Sequence, residues 1–369
     1  MSVQSDRRTD PLAPARSVNA GRRAPLRLGF NTRVSFESGP GGAARGLHEG
    51  IELFRAAERL GYQSGWTYQR HFDHYLSSPF PFFAAVAQHT DRIEIGSAVI
   101  AMRYQDPVLM AEAAATADLL ADGRVRVAMS SGNGQFDAVF GGVDTDARTE
   151  GRHRLARFVE AVEGRTLHVV DDPRDGFVAG TELRVTPHSE TLRDRLYYGS
   201  GHVASAVEAA QARLRLITGT ILHDVTDESF SAYQARLIGA YRAAWAGSGD
   251  APPVSVAASV LPGTTPALRE RYAAYDLVRR TQGPSVSKPA GALEQTFVTA
   301  NLPPGLLVSP VFHGEPAAVA EAVAADAGIA AADELVLFLP PELGLADNIR
   351  LLTDMAETVA PALGWVPGP

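Results

Sequence analysis

The chain has no cysteine among its 369 residues, which excludes disulfide staples, thiolate metal sites, iron–sulfur clusters and cysteine nucleophiles in one step. Any chemistry must use other side chains or a borrowed cofactor. Lysine is almost missing too: Lys288 stands alone among 34 basic residues, and the arginines are scattered through a chain of net charge −8. Phosphate-backbone binding needs a clustered positive field, so no nucleic-acid partner is expected. No apolar run approaches the ~20 residues that span a bilayer, so no membrane partner is expected. The arginine- and proline-bearing start, 1–25, lacks the apolar stretch of a secretory signal and is read as a disordered tail on a cytoplasmic protein.

What is present suits a folded enzyme. With 45% hydrophobic and 21% charged residues, the chain can bury a large core and still cover it. From Leu26 onward, short β-rich runs alternate with helical patterns, the signature of parallel βα units. The runs are 26–36, 64–69, 93–100, 124–131, 195–200, 214–220, 253–261 and 334–339. Between them Leu47, Ile51, Phe54 and Ala57 recur at helical spacing, as do Phe230, Tyr233, Leu237 and Tyr241, and later Ile349, Leu352, Met355 and Val359. Ser78-Pro79, Asp106-Pro107 and Thr265-Pro266 each put a capping side chain before a proline at the first helical position.

Eight strands with interleaved helices predict an α/β fold, a single closed (β/α)8 TIM barrel over 26–363 with a short C-terminal tail at 364–369. Two insertions interrupt it. Residues 165–194 alternate around Asp-Pro and Gly turns and predict a β-hairpin. Residues 281–312 are rich in Gly, Pro and Ser without a clear period; they form a candidate lid with Lys288 in its middle. No internal repeat is present.

Barrel enzymes place their sites at the carboxyl ends of the strands. Strand two ends in Trp66-Thr67-Tyr68-Gln69-Arg70-His71-Phe72-Asp73, strand three carries Gly96-Ser97-Ala98-Val99-Ile100, and strand four ends in Met129-Ser130-Ser131-Gly132. Gly199-Ser200-Gly201-His202 closes strand five and opens a helix with Ser205 in its early turn. That offers free N–H groups, small side chains and a hydroxyl to a phosphate.

At these residues the chain resembles the bacterial-luciferase-like flavin monooxygenases. The matching series runs through Ala57-Glu58-Arg59-Leu60-Gly61-Tyr62, Trp66 and Gln69-Arg70-His71-Phe72. It continues through Ala87, Thr90, Arg92, Ile93 and Gly96 to Asp118-Leu119-Leu120 and Asp122-Gly123-Arg124. An ordered series over ~90 residues is stronger evidence than a lone motif. A weaker match continues through Tyr198-Gly199-Ser200-Gly201 and His313-Gly314-Glu315-Pro316.

The resemblance implies a monooxygenase that uses reduced FMN and O2 on a small organic substrate, the flavin being supplied by a separate reductase. It puts the flavin ring against Ala98, Val99 and Ser130, and the phosphate near Ser131, Gly199, Ser200, Gly201, His202 and Ser205. It also implies a homodimer paired through early helices, here 79–87 and 111–120. Phe30, Thr32, Val34 and Tyr104 are the expected substrate-side residues.

The chain departs from the family pattern at three positions. Ser130 stands where luciferases have a cysteine, and Ser131 where they have an arginine on the phosphate, so the phosphate must be held by another cation or mainly by N–H and hydroxyl donors. Arg70 replaces the first of the paired histidines and, being permanently protonated, cannot act as a base. Light emission is therefore not expected. His71 keeps the second histidine and is the expected proton carrier, with Arg70 beside it.

His71 and His74 form no metal site without a third ligand, and no metal is expected. A nucleophile elbow is lacking too. The alternatives are a deazaflavin-dependent oxidoreductase on the same barrel and a non-catalytic flavin-binding barrel.

Overall fold

The computed structural model describes residues 25–132, 134, 136–141, 146–173, 176–224, 227–282 and 306–369. Residues 1–24 of the expected tail and 283–305 of the expected lid, Lys288 included, lie outside the described residues.

Eight parallel strands close into a barrel: β1 (Arg27–Thr32), β2 (Ser64–Thr67), β3 (Glu94–Ala101), β4 (Val125–Ser130), β5 (Leu196–Gly199), β6 (Arg215–Thr218), β7 (Ser255–Pro262) and β8 (Glu334–Phe338). Each pairs with the next, and β8 returns to β1 with Glu334 opposite Arg27. All eight lie within the runs expected from sequence, give or take a residue.

The main outer helices are α1 (Gly42–Arg59), α2 (Pro79–Ala87), α3 (Pro107–Leu120), α4 (Ala147–Val162), α5 (Val203–Gln211), α6 (Phe230–Ala243), α7 (Pro266–Gln282), α8 (Pro316–Ala325) and α9 (Leu345–Asp354). Among the described residues, none is long and apolar enough to cross a membrane.

Helices α2, α3 and α7 start on the three prolines. Asp106 accepts from Val108 N and Leu109 N at 2.9 Å each, and Thr265 Oγ1 accepts from Leu268 N at 3.3 Å. Ser78 makes no capping bond.

The buried stripe of α1 is rotated from the one expected. Gly46, Gly50, Leu53, Phe54 and Ala57 face inward, while Leu47 is 40% exposed. The cause is close approach: a Cβ on Gly50 would lie 2.8 Å from Val34 Cγ1 and 3.0 Å from Phe82. Counting large apolar residues misses a face built on glycine.

Several motif residues support the frame. Glu58 accepts the backbone N–H groups of Asp91, Arg92 and Ile93, and these outweigh the upward push of burial to lower its pKa. Asp118 accepts from Ser189, Arg195 and Val125 N, fixing the entry to β4.

Inside the barrel, chemistry changes with height. The amino-end floor is ionic: Glu334, 1% exposed, accepts from Ser64, Ser255 and Arg126, and Arg126 also pairs with Glu94. Above it lies an apolar layer of Trp66, Ala128, Tyr197, Ile217, Ala257 and Val336. Polar side chains return at the carboxyl end.

In the first insertion His168–Val169 pairs antiparallel with Glu182–Leu183. Within the segment 364–369, Trp365 packs into the core while Val366, Pro367 and Pro369 are exposed. Trp365 is 5% exposed and bridges to Leu26, and Gly368 N donates to Gly61 O at 2.9 Å. The end of the expected lid is also ordered into strand. Leu306–Val308 pairs antiparallel with Ile221–His223, and Val311–Gly314 runs alongside the end of β7.

Candidate active site

Two cavities of about 490 and 390 Å³ adjoin at the carboxyl ends of the strands. Tyr68, Val99, Gly199, Gly201 and His223 line both. The Ala98–Val99 peptide between them is cis. A Cβ on Gly199 would lie 2.4 Å from Val99 Cγ1, so only glycine lets β3 and β5 meet this way.

The first chamber brings together Arg70, His71, Tyr104, Ser130, Ser131, Gly201, His202 and Ser205. His71 sits in an aromatic wall, its ring 4.9 Å from that of Phe140, 6.1 Å from Tyr104 and 6.2 Å from Phe136. Its buried Nε2 has no hydrogen-bond partner among the described residues. Burial, then the charge of Arg70, holds the imidazole below the usual histidine range, so it is neutral near pH 7 and can take or pass a proton. Arg70 is turned aside, its guanidinium 5.6 Å from the Phe136 ring and its Nε 3.7 Å from Asp73 Oδ2.

The wall is held from behind. Arg103 grips Asp137 through two bonds of 2.6 Å, and Phe136 N donates to the Tyr104 hydroxyl at 2.9 Å. Ser200 and Ser205 share a 2.7 Å hydrogen bond, in which one hydroxyl donates to the other, and the remaining hydroxyl proton donates to His202 O at the start of α5. Ser205 opens on the first chamber and Ser200 on the second. His202 and His223 stack with centroids 5.2 Å apart; burial, then the charge of His202, lowers the His223 pKa.

Three expected substrate residues lie outside the lining of the two chambers. Phe30 is fully buried outside the barrel wall, 5.0 Å from Phe54 and 6.3 Å from Tyr62 between ring centroids. Thr32 and Val34 line a further cavity of about 400 Å³ beside α1, which shares Arg33 with the second chamber. Successive strand residues face opposite ways, so the inward set is Asn31 and Arg33, both lining the second chamber. The polar Asn31 within an apolar strand was the available signal.

Ala98 also lines the second chamber, whereas Tyr104 lines the first. Sequence reasoning missed Tyr68, Arg148, His223, Arg279 and Phe338, which line one chamber or both. Arg148 lies in the first turn of α4, capped by Asp146, far from every motif. Among the described residues, no group of three or more His, Cys, Asp or Glu side chains is placed to hold a metal ion.

The profile of the family described as luciferase-like monooxygenase matches residues 27–332. Limonene 1,2-monooxygenase of Rhodococcus erythropolis is 33% identical over 147 residues, 39% of this chain and 37% of that protein. The oxygenase component of the flavin-dependent trigonelline monooxygenase of Acinetobacter baylyi is 27% identical over 117 residues, 31% of this chain and 32% of that one. The chain thus spans well under half the length of these curated relatives. The oxygenating constituent of 3,6-diketocamphane monooxygenase from Pseudomonas putida, solved in complex with FMN, shares the fold. Its TM-score is 0.64 at 14% identity, with 93% of this chain and all of that one covered.

Proposed function

The chain belongs to the luciferase-like monooxygenase family, and from that premise we propose that it is the oxygenase of a two-component system, using reduced FMN and O2 on a small organic substrate. The observation that carries the reading is the pair of adjoining chambers, with the unpartnered Nε2 of His71 in the first. One chamber suits a flavin and the other a substrate.

The residues present fit a flavin mononucleotide. Gly201 is closely packed against the segment Ile221–His223: an added Cβ would lie 3.0 Å from the His223 ring. Glycine here, the start of α5, the Ser205 hydroxyl, His202 and the Arg148 cation would hold the phosphate. Arg148 takes over the charge that Ser131 lacks. When bound, reduced FMN supplies the electrons that activate O2.

The protein's part is to bind, orient and exclude water, with proton movement at His71 Nε2. Supply of reduced flavin by a separate reductase is supported by the component names of the relatives. A homodimer is supported by Leu109, Leu119 and Leu120, exposed on α3.

The deciding experiment compares anaerobic binding of oxidised and reduced FMN with that of a deazaflavin, then follows O2 uptake with a flavin reductase and NADH. Tighter binding of reduced FMN and substrate-dependent O2 uptake are expected. Preference for the deazaflavin, or flavin binding without substrate-dependent O2 uptake, overturns the reading.

A further inference from the structure

The second chamber contains a buried cation that flavin binding and proton transfer leave unused. Arg279, near the end of α7, is 5% exposed and lines this chamber. Its bonds among the described residues go to hydroxyls: Nη1 to Ser259 Oγ at 3.5 Å, Nη2 to Ser309 Oγ at 3.2 Å, and a contact with the Tyr275 phenol. Its Nε is buried without a partner, and no carboxylate among the described residues pairs with it. Hydroxyls orient a guanidinium but leave its charge uncompensated, whereas buried charges are normally paired.

A second orphan lies on the same cavity. Asn31, also 5% exposed, keeps Oδ1 without a partner. Arg33, 7% exposed, adds a positive charge, its guanidinium 5.5 Å from the Tyr68 ring centroid and 5.4 Å from that of Phe338. Apolar surface from Val99, Ile217 and Ala257 makes up much of the remaining wall. The chamber therefore combines a fixed positive pole with a hydrophobic body at a volume of about 390 Å³, within the ordinary range for small-molecule pockets.

We propose that this chamber binds a small organic acid, its carboxylate on Arg279 and its apolar body against Val99, Ile217 and Ala257. A planar guanidinium suits a carboxylate, which can accept two of its N–H groups at once. Asn31 lines the same chamber with its Oδ1 unpartnered. What happens to the bound acid rests on the flavin reading; the binding itself does not.

The test measures calorimetric binding of phenylacetate, hexanoate and cyclohexanecarboxylate, each beside its uncharged amide, to the full chain with and without FMN. At least one acid is expected to bind about 10- to 100-fold more tightly than its amide, the range for a charge-assisted hydrogen bond. Arg279→Met should remove that preference while leaving FMN affinity and amide binding in place, and Arg279→Lys should restore part of it.

Equal binding of every acid and amide by the wild-type chain, or no binding of any acid, overturns the proposal without need of a variant. Loss of FMN binding in a folded Arg279→Met protein that still prefers the acid also overturns it, because the cation then serves the cofactor. Preference for an acid in a wild-type chain that fails to bind FMN supports the anion site and overturns the flavin reading alone.

Discussion

His202 and His223 stack ring on ring, 5.2 Å between centroids and 26° between planes, with His223 at the seam of the two chambers. Folding lowers the pKa of His223, as it does that of His71. The native state therefore disfavours the protonated imidazoles. The resulting penalty is absent above the unfolded histidine value near ~6.5 and grows as pH falls through it. Chemical denaturation of the flavin-free protein should show stability falling from about pH 6.5 downward. A His71→Gln, His223→Gln double variant should flatten that slope, and an unchanged slope would assign the pH dependence elsewhere.

The Arg103–Asp137 grip should govern His71 from a distance, since it fixes the segment carrying Phe136 and Phe140. In Asp137→Asn the aromatic wall should loosen and the His71 pKa should move up toward its ordinary value, read from its imidazole carbon resonances during titration. Substrate-dependent O2 uptake should drop with it. A His71 titration identical to wild type would show that the wall stands without the grip.

Arg148 is exposed, so Arg148→Gln should leave the melting temperature nearly unchanged. Loss of one charge-assisted contact to phosphate should weaken FMN about 10- to 100-fold and leave riboflavin, which lacks the phosphate, unaffected. Equal weakening of both flavins would place Arg148 away from the phosphate.

Phe30 and Asn31 are neighbours in sequence with opposite expected effects. Phe30→Ala empties a buried site between Phe54 and Tyr62 and should cost about 3–5 kcal/mol of stability, with little change in ligand affinity for the folded fraction. Asn31→Ala should shift acid binding in the second chamber more than it shifts the denaturation midpoint. Denaturant melts and calorimetry on the two variants separate the roles.

The apolar side chains exposed on α3 should pair two copies of the chain. Sedimentation at micromolar protein should give a dimer, and Leu109→Glu with Leu119→Glu should give a monomer that keeps its fold. A wild-type monomer at that concentration would remove the dimer.

Much of this frame was legible in the sequence because strand position follows local composition. All eight barrel strands and the helix starts at Pro79, Pro107 and Pro266 are local signals. Facing was harder to read. In Arg27–Thr32, five of six residues are buried, so neither side of the strand looks solvent-like and Phe30 was assigned inward. The outer core takes the aromatic ring; the mouth takes the amide.

Arg148 and Arg279 were beyond reach for another reason. Each sits on a helix far from the motif-bearing strand ends, in a chain where arginine is the default basic residue. Only closure of the barrel brings them to the cavity.

The ionic knot around Glu334 draws together β1, β2, β4 and β7 at the end of the barrel away from the chambers. Strand alignment is thus anchored apart from the proposed binding chambers. Side chains at the opposite rim can be exchanged without disturbing that anchor, so such a barrel is free to acquire new substrates by drift at one end while selection for folding acts on the other.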